Sequence, residues 1–426
     1  MDKNVGFVSF RISGTDGVSL EAKKWAELLE RNNCTCFYLA GELDTPPEVS
    51  MEAPLLHFHD PEIFDTYQQC FGSTARPRAL TKRLHEQRAA IKDTLYEFIK
   101  RFSIDILIPQ NAITIPLNIA LAMAISEVIA ETGINTVAHH HDFFWERKRF
   151  LVNCVWDYLN GCYPPHLPSI HHVVINTSAR NQLALRTGIA ATLIPNVMDF
   201  ESPPPGIDDY NADVRQALQI DDDELLVLQP TRVVQRKGIE HAIELVARMQ
   251  RKAALVISHA SGDEGHEYQQ RVREYADMLG IRALFVQDVI DERRGTTPDG
   301  RKVYSLQDVY PHADLVTYPS LTEGFGNAFL ETVYFRKPIV LNNYAIYSHD
   351  IKPKGFKVVE MDDFVSQATV DDTCRLLDDP KLIKEMVDTN YELALKHFSY
   401  TVLEKRLWYL VRSFYGMETA ETGSWT

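Results

Sequence analysis

Glu323-Gly-Phe-Gly-Asn-Ala-Phe-Leu-Glu331 places two carboxylates eight positions apart around a glycine-rich turn. The preceding run Ala313 to Ser320 ends a strand, and Asn327 to Phe335 has the composition of a helix, so Gly324 and Gly326 fall where strand becomes helix. Such a turn offers backbone N–H groups and the positive end of a helix dipole to an anion, such as the diphosphate of an activated sugar. Glycine permits close approach because no side chain intervenes. Eight helical residues rise about 12 Å, so the two carboxylates reach different hydroxyl sets, Glu323 the sugar and Glu331 the ribose. The plainer alternative makes Glu331 a solvated helix acid and Glu323 an N-terminal acid favoured by the dipole. Glu323 is read as an exposed turn carboxylate that adds little to the core, so its loss is expected to depress activity more than folding.

Working outward, Leu225-Leu-Val-Leu-Gln-Pro-Thr-Arg-Val-Val-Gln-Arg-Lys-Gly238 reads as strand, basic loop and helix start. Leu225 to Leu228 suits a buried parallel strand, and Ile239, Ile243, Val246 and Ala247 mark one helical face. Arg232 and Lys237 then lie beyond the carboxyl end of a strand, where α/β sheets bind ligands, and could neutralise a diphosphate. Alone, they would be two solvated loop charges.

Together these segments resemble the retaining glycosyltransferases of family 4, whose Glu-x7-Glu signature is matched in spacing and in the Glu-Gly-Phe-Gly-Asn core. The resemblance implies an α/β chain of the GT-B fold: two Rossmann-like parallel-sheet domains facing a cleft. It implies a hexosyltransferase that takes a hexose from a nucleotide diphosphate sugar and retains anomeric configuration. Arg232 and Lys237 would grip the diphosphate and Glu323 the sugar. Gly324, Phe325, Gly326, Asn327 and Glu331 would complete the donor site. Such enzymes generally work without a bound metal or other cofactor, the nucleotide sugar being a co-substrate. The motifs admit UDP or GDP, and the segment Phe285 to Gly295 lies where the family holds the base.

The 426 residues suffice for two or three domains, and 45% hydrophobic with 24% charged residues is ordinary for a globular protein. A net charge of -15, from 44 basic and 59 acidic residues, disfavours nucleic acid or an anionic membrane as partner. Asn4 to Phe10 is a short strand-like run rather than a signal peptide, and no apolar stretch reaches about 18 residues, so a cytoplasmic enzyme without integral membrane contact is expected. Cys34, Cys36, Cys70, Cys154, Cys162 and Cys374 form no Cys-x-x-Cys pair and read as free buried thiols. A homo-oligomer is compatible with all of this.

Strands at Asn4 to Phe10, Thr35 to Leu39, Ile104 to Pro109, Asn135 to Ala138 and His172 to Asn176 alternate with helices at Val18 to Glu30, Arg83 to Phe102 and Pro116 to Glu131. That alternation predicts a parallel sheet. A boundary follows Ile194-Pro-Asn-Val-Met-Asp199, with Ser202-Pro-Pro-Pro-Gly206 as a stiff linker. Residues 1–200 form the expected acceptor-side domain and 207–395 the nucleotide-sugar domain. By resemblance, a closing helix at about 398–416 completes the first, and 417–426 are a tail.

In the first half, Ser13-Gly-Thr-Asp-Gly-Val-Ser19 puts Gly17 between strand and helix, open to close donor approach, though simple turn geometry explains it equally. Ala138-His-His-His-Asp-Phe-Phe-Trp-Glu-Arg147 ends another strand. His139 and His141 share one side of an extended segment and could bind metal with His171 and His172, or with His57 and His59; alternatively the histidines and Asp142 satisfy loop hydrogen bonds. By resemblance, His141 before Asp142 touches the transferred sugar near its reactive carbon, with His140 one register away, and no metal is needed. Trp145, Arg147, Lys148 and Arg149 form an aromatic and basic cluster, of which Arg147 and Arg149 either bind a carboxylate or phosphate on the acceptor or make ion pairs. The loop also resembles that of enzymes making mannosylglucosylglycerate and related small anionic glycosides. Two other classes share the architecture. An epimerase would act without an acceptor; a binding module would usually lack charged groups such as Arg232, Lys237, Glu323 and Glu331.

Overall fold

A computed structural model describes residues 2–14, 16–259, 266–291 and 293–415. The expected tail at 417–426 lies outside them. The chain forms two compact units, Met1–Asn196 with the chain from Thr401 onward, and Val197–Tyr400. The change of unit falls at Asn196, ahead of the proline-rich segment.

In the first unit the order is β1 (Lys3–Val8), α1 (Gly17–Arg31), β2 (Cys34–Ala40), β3 (Ser50–Glu52), α2 (Pro61–Cys70), α3 (Arg78–Phe102) and β4 (Ile106–Pro109). Then follow α4 (Ile119–Thr132), β5 (Asn135–His140), α5 (Trp156–Cys162), β6 (Ile170–Val174), α6 (Thr177–Thr187) and β7 (Ala191–Leu193). The strands pair in parallel in the order β3-β2-β1-β4-β5-β6-β7. Because helices cover both faces, β4 reads as the continuous apolar run Ile-Leu-Ile-Pro and is wholly buried. The order reverses between β1 and β4, so the loops after these two strands open the crevice where such sheets take ligands.

Two boundaries differ from expectation for local reasons. β5 runs on through His139 and His140, which pair with Val173 and Val174 of β6. β6 stops at Val174 because the Asn176 side chain turns back to accept from Ala179 N (2.7 Å) and cap α6.

The second unit contains α7 (Val214–Ala217), β8 (Leu225–Gln229), α8 (Ile239–Met249), β9 (Ala253–Ile257), α9 (His266–Met278) and β10 (Arg282–Phe285). After the short β11 (Ile290–Asp291), β12 (Gly295–Thr296), β13 (Lys302–Ser305) and α10 (Leu306–Val309) come β14 (Leu315–Tyr318), α11 (Asn327–Tyr334), β15 (Ile339–Asn342), β16 (Val359–Met361), α12 (Gln367–Asp378) and α13 (Pro380–Phe398). The main sheet is again parallel, in the order β10-β9-β8-β14-β15-β16, and reverses between β8 and β14. The segment expected to hold the base, Phe285 to Gly295, contributes with the residues that follow it to a small sheet, β11-β13-β12. It is pinned by Arg294, whose guanidinium donates to the buried Asp308 (Nε to Oδ1, 3.0 Å) and to Asp208 (2.8 Å). The last helix, α14 (Tyr400–Ser413), belongs from Thr401 onward to the first unit; it buries Leu403, Leu407, Leu410 and Val411, and its Glu404 accepts from Asn32 Nδ2 (2.6 Å) of the same unit.

At the reversal of the second sheet, Gln229 closes β8 by donating to Thr231 Oγ1 (2.8 Å) and accepting from Thr317 Oγ1 of β14 (2.7 Å). Gly238 then turns the chain into α8 with φ of +60°, and a Cβ there would sit 2.5 Å from the Pro319 carbonyl oxygen. Gly238→Ala is therefore expected to destabilise the protein by at least the left-handed cost of about 1–2 kcal/mol. A urea midpoint equal to wild type would contradict this.

Candidate active site

In the second unit, the loops after β8 and β14 carry the residues singled out in sequence. Arg232, exposed, makes no ion pair among the described residues. A short 3-10 turn, Gln235–Lys237, follows. It sends Arg236 and Lys237, adjacent in sequence, to the same carboxylate. Lys237 Nζ bonds Glu323 Oε1, and Arg236 stands 3.5 Å from Glu323 Oε2. The Lys237 and Glu323 side chains are only 10% and 9% exposed, so this is a buried ion pair.

Burial lowers the Lys237 pKa, opposed by the Glu323 charge. Burial pushes the Glu323 carboxyl the other way, but Lys237 and Arg236 outweigh it and hold the pKa below its usual value. Two cations face one carboxylate and keep it ionised. The expectation of an exposed turn carboxylate is thus corrected. The strand-to-helix turn folds Glu323 inward, beside the Tyr318 ring that also lies 5.6 Å from Lys237 Nζ.

The following turn has buried Phe325 and Gly326, with Gly324 exposed and Asn327 half-buried as the first residue of α11. Gly326 takes φ of +125° and abuts the Tyr344 hydroxyl, which donates to Phe325 O (3.0 Å), so no side chain fits there. The N-cap positions of α8 and α11 are glycines, Gly238 and Gly326, which bring no capping side chain, and at the start of α8 the Tyr268 hydroxyl accepts from Ile239 N (3.3 Å). α11 has no acid in its first turn, whereas α8 has Glu240 there, which accepts from Tyr268 Oη (2.5 Å). Glu331, half-buried on α11, accepts from Tyr310 Oη (3.2 Å). Near the cations, His259 accepts or donates at Nδ1 to Ser258 Oγ (2.7 Å); burial first, then Arg232 and Lys237, lowers its pKa to about 4.

In the first unit the helix end is differently made. Asp16 caps α1, accepting from Val18 N (3.0 Å), Ser19 N (3.2 Å) and Ser19 Oγ (2.6 Å), and pairs with Arg11 (3.3 Å). Gly17 is exposed at the first position of α1, but the donors beside it already serve Asp16. This end of α1 carries its own anion.

The three histidines have distinct places. His139 is buried between Trp25 (ring centroids 4.1 Å) and His141 (4.4 Å), with both ring nitrogens unbonded among the described residues. His140 is buried and tied to Thr114 Oγ1 (2.5 Å) and His172 Nδ1 (3.0 Å). His141, at 8% exposure, begins the loop. Its backbone N–H donates to Asn111 Oδ1 (3.1 Å) and its Nε2 lies 3.3 Å from Gln110 Oε1. Burial, partly offset by Asp142 and Asp16, lowers its pKa to about 4, so the ring is neutral at pH 7. Asn111, left-handed at φ of 57°, also donates to Asp142 Oδ1 (3.0 Å) and so joins the β4 and β5 loops. Among the described residues no group of three or more His, Cys, Asp or Glu is placed to hold a metal ion.

Arg147 is not a free cation: its Nε donates to Asp142 Oδ2 (2.5 Å) and a second nitrogen reaches the same oxygen. Arg149 lies over the Phe150 ring at 4.7 Å. The sequence reading passed over Arg236, Gln110 and Asn111. Arg236 stood beside Lys237 in the quoted run, but only the 3-10 turn reveals its direction. Nothing local marks Asn111 as left-handed.

Two parallel Rossmann-like sheets, each reversing where its charged loops lie, are the architecture of GT-B glycosyltransferases. A solved glycosyltransferase from Rickettsia africae ESF-5 shares it (TM-score 0.69, 13% identity, 97% of this chain and 99% of that one). So does Anabaena Alr3699/HepE, solved with UDP and glucose (TM-score 0.64, 14% identity, 96% and 100%). No protein-family profile matches the chain. Among curated proteins it is 32% identical to mannosylglucosylglycerate synthase of Thermotoga maritima, over 94% of this chain and 97% of that protein. The synthase of the same name from Petrotoga mobilis is also 32% identical, over 84% and 86%. The chain belongs to the mannosylglucosylglycerate synthase family of GT-B glycosyltransferases. No helix among the described residues is long and apolar enough to cross a membrane.

Two expectations follow. Glu323→Ala leaves Lys237 buried without its partner, so it should cost stability, on the order of 3–5 kcal/mol before relaxation, as well as activity; an unchanged thermal midpoint would refute this. For the histidines the folded pKa lies below the unfolded 6.5, at about 4 for His141 and His172. The unfolded chain therefore protonates first. Stability present above pH 6.5 is lost as pH falls towards 4, by about 3 kcal/mol for each of these two histidines. Urea unfolding at pH 7 and pH 4.5 measures it, and equal stabilities would exclude it.

Proposed function

We propose that this enzyme is a retaining hexosyltransferase, taking its sugar from a nucleoside diphosphate donor and passing it to a hydroxyl of a small anionic glyceric-acid glycoside. The observation that carries the donor half is the convergence of Arg232 and Lys237 with the glycine-led start of α11 at the second-unit reversal. Such a site suits two linked phosphates, whose negative charge matches fixed cations and helix dipoles. The acceptor half is supported by the relatives' name. A mannosylglucosylglycerate carries a mannosyl and a glucosyl unit on an acid, so its synthase handles an anionic glycoside.

In this mechanism the diphosphate sits against Arg232 and Lys237 and over the Gly324 to Asn327 turn. Glu323 accepts hydrogen bonds from sugar hydroxyls and Glu331 from the ribose. The bond from the anomeric carbon to the leaving phosphate oxygen breaks as the acceptor oxygen bonds the same face. The acceptor proton passes to that phosphate. Stabilising its developing charge is the main catalytic contribution, and removing one such cation costs about 3–4 kcal/mol in the transition state. His141, neutral and held by its neighbours, would touch the sugar near the reactive carbon as a hydrogen-bonding group rather than as a charge. Arg147, already committed to Asp142, would serve an acceptor carboxylate only by sharing or exchange; Arg149 would need to leave the Phe150 ring.

Incubation with UDP- and GDP-hexoses, with and without glyceric-acid glycosides, tests this by mass spectrometry. The expected result is a product one hexosyl unit heavier than the acceptor, with the anomeric configuration of the donor by NMR. Isomerised donor without acceptor would mean an epimerase, and inversion would remove the retaining assignment. Arg232→Ala should weaken nucleoside diphosphate binding and lower kcat by about 100-fold or more. Unchanged affinity would take Arg232 out of the site.

A further inference from the structure

In this structure Glu323 is already satisfied by two cations, one of which, Lys237, the proposed mechanism assigns to the donor. Lys237 and Arg236 divide its two oxygens between them, and their attachments differ. Arg236 is stitched to the loop that carries Glu323: its guanidinium donates to Thr322 O (3.2 Å), and its own carbonyl accepts from Leu321 N (2.9 Å). The Lys237 ammonium has Glu323 as hydrogen-bond partner and the Tyr318 ring at 5.6 Å. One cation is fixed to the carboxylate's loop, and the other is held chiefly by the carboxylate itself.

We propose that donor binding is an exchange of ion pairs: the diphosphate draws Lys237 from Glu323, while Arg236 keeps the released carboxylate ionised and directed at the sugar. Arg236 is thus a positioning residue that acts through Glu323. This rests on the nucleotide-sugar reading above. The physical reason is competition. A buried ammonium paired with one carboxylate gains little from a second anion unless the first relaxes its hold, and a carboxylate beside a diphosphate repels it. Without Arg236, Glu323 would depend on Lys237 alone, so the diphosphate would have to break a tighter pair.

A double-mutant cycle on UDP and GDP affinity, measured calorimetrically at pH 7, tests the exchange. Glu323→Gln should bind nucleoside diphosphate about fivefold tighter than wild type although transfer is lost, and Arg236→Gln should bind about tenfold weaker. Combining them should restore affinity to within about twofold of Glu323→Gln alone, because Arg236 then has no carboxylate to hold. If the Arg236→Gln loss persists in the Glu323→Gln background, Arg236 touches the nucleotide directly and the exchange is wrong. Weaker binding by Glu323→Gln would likewise overturn it. Wild-type protein that binds neither nucleotide would bring down the donor reading and this proposal together. Should Glu323→Gln fail to fold, the ratio of affinities for nucleotide sugar and free nucleoside diphosphate decides. Arg236→Gln should reduce that ratio and Arg236→Lys should restore it; an unaltered ratio refutes a role through Glu323.

Discussion

The buried contact between Lys237 and Glu323 ties together the loops after β8 and β14. β8 and β14 are neighbours because the sheet reverses between them, and each sends its following loop to the same edge. A charge on one loop alone would be expelled to water or neutralised. Opposed across the reversal, the ammonium and the carboxylate can both be buried, with Arg236 as a second cation at the rim. The glycines serve this contact: Gly238 lets the first loop pass Pro319, and Gly326 lets the second turn beneath Tyr344. A charged, preorganised edge is the result, with the glycine-led starts of α8 and α11 beside it.

The first unit repeats the topology and solves its electrostatics in the opposite way. Its leading helix end is closed by Asp16, and the strand next to the reversal ends in histidines kept uncharged by burial. The cations nearby are paired with aspartates, Arg11 with Asp16 and Arg147 with Asp142. Such a surface presents hydrogen-bonding groups without a large net field, which suits hydroxyl-rich groups, whereas the second unit's edge suits phosphate.

The Asn111 link shows how a single backbone conformation organises this edge. Its left-handed φ turns the side chain so that the oxygen holds the His141 amide and the nitrogen holds Asp142. Asp142 in turn engages Arg147, so the loop after β5 is anchored at its start and five residues on. The side chains of Gln110 and His141 close the network from the β4 side.

By itself the sequence determined the class of fold and named most of the residues of the second unit's candidate site. Apolar runs alternating with amphipathic helices imply parallel sheets, and Arg232, Lys237, Glu323 and Glu331 were visible because glycine turns, strand ends and charges lie close together in the chain. Pairwise geometry was beyond it. That Glu323 is buried, that Arg236 shares it, and that Arg147 is taken by Asp142 depend on side-chain directions at a 3-10 turn and across loops up to 87 residues apart. The same holds for the histidines: the run of three is plain in sequence, but which is core, which is tied to His172 and which reaches the loop depends on strand register and on Trp25, over a hundred residues away. Local residues set the elements through short-range sterics and periodicity, whereas burial and charge pairing are fixed only when distant strands become neighbours.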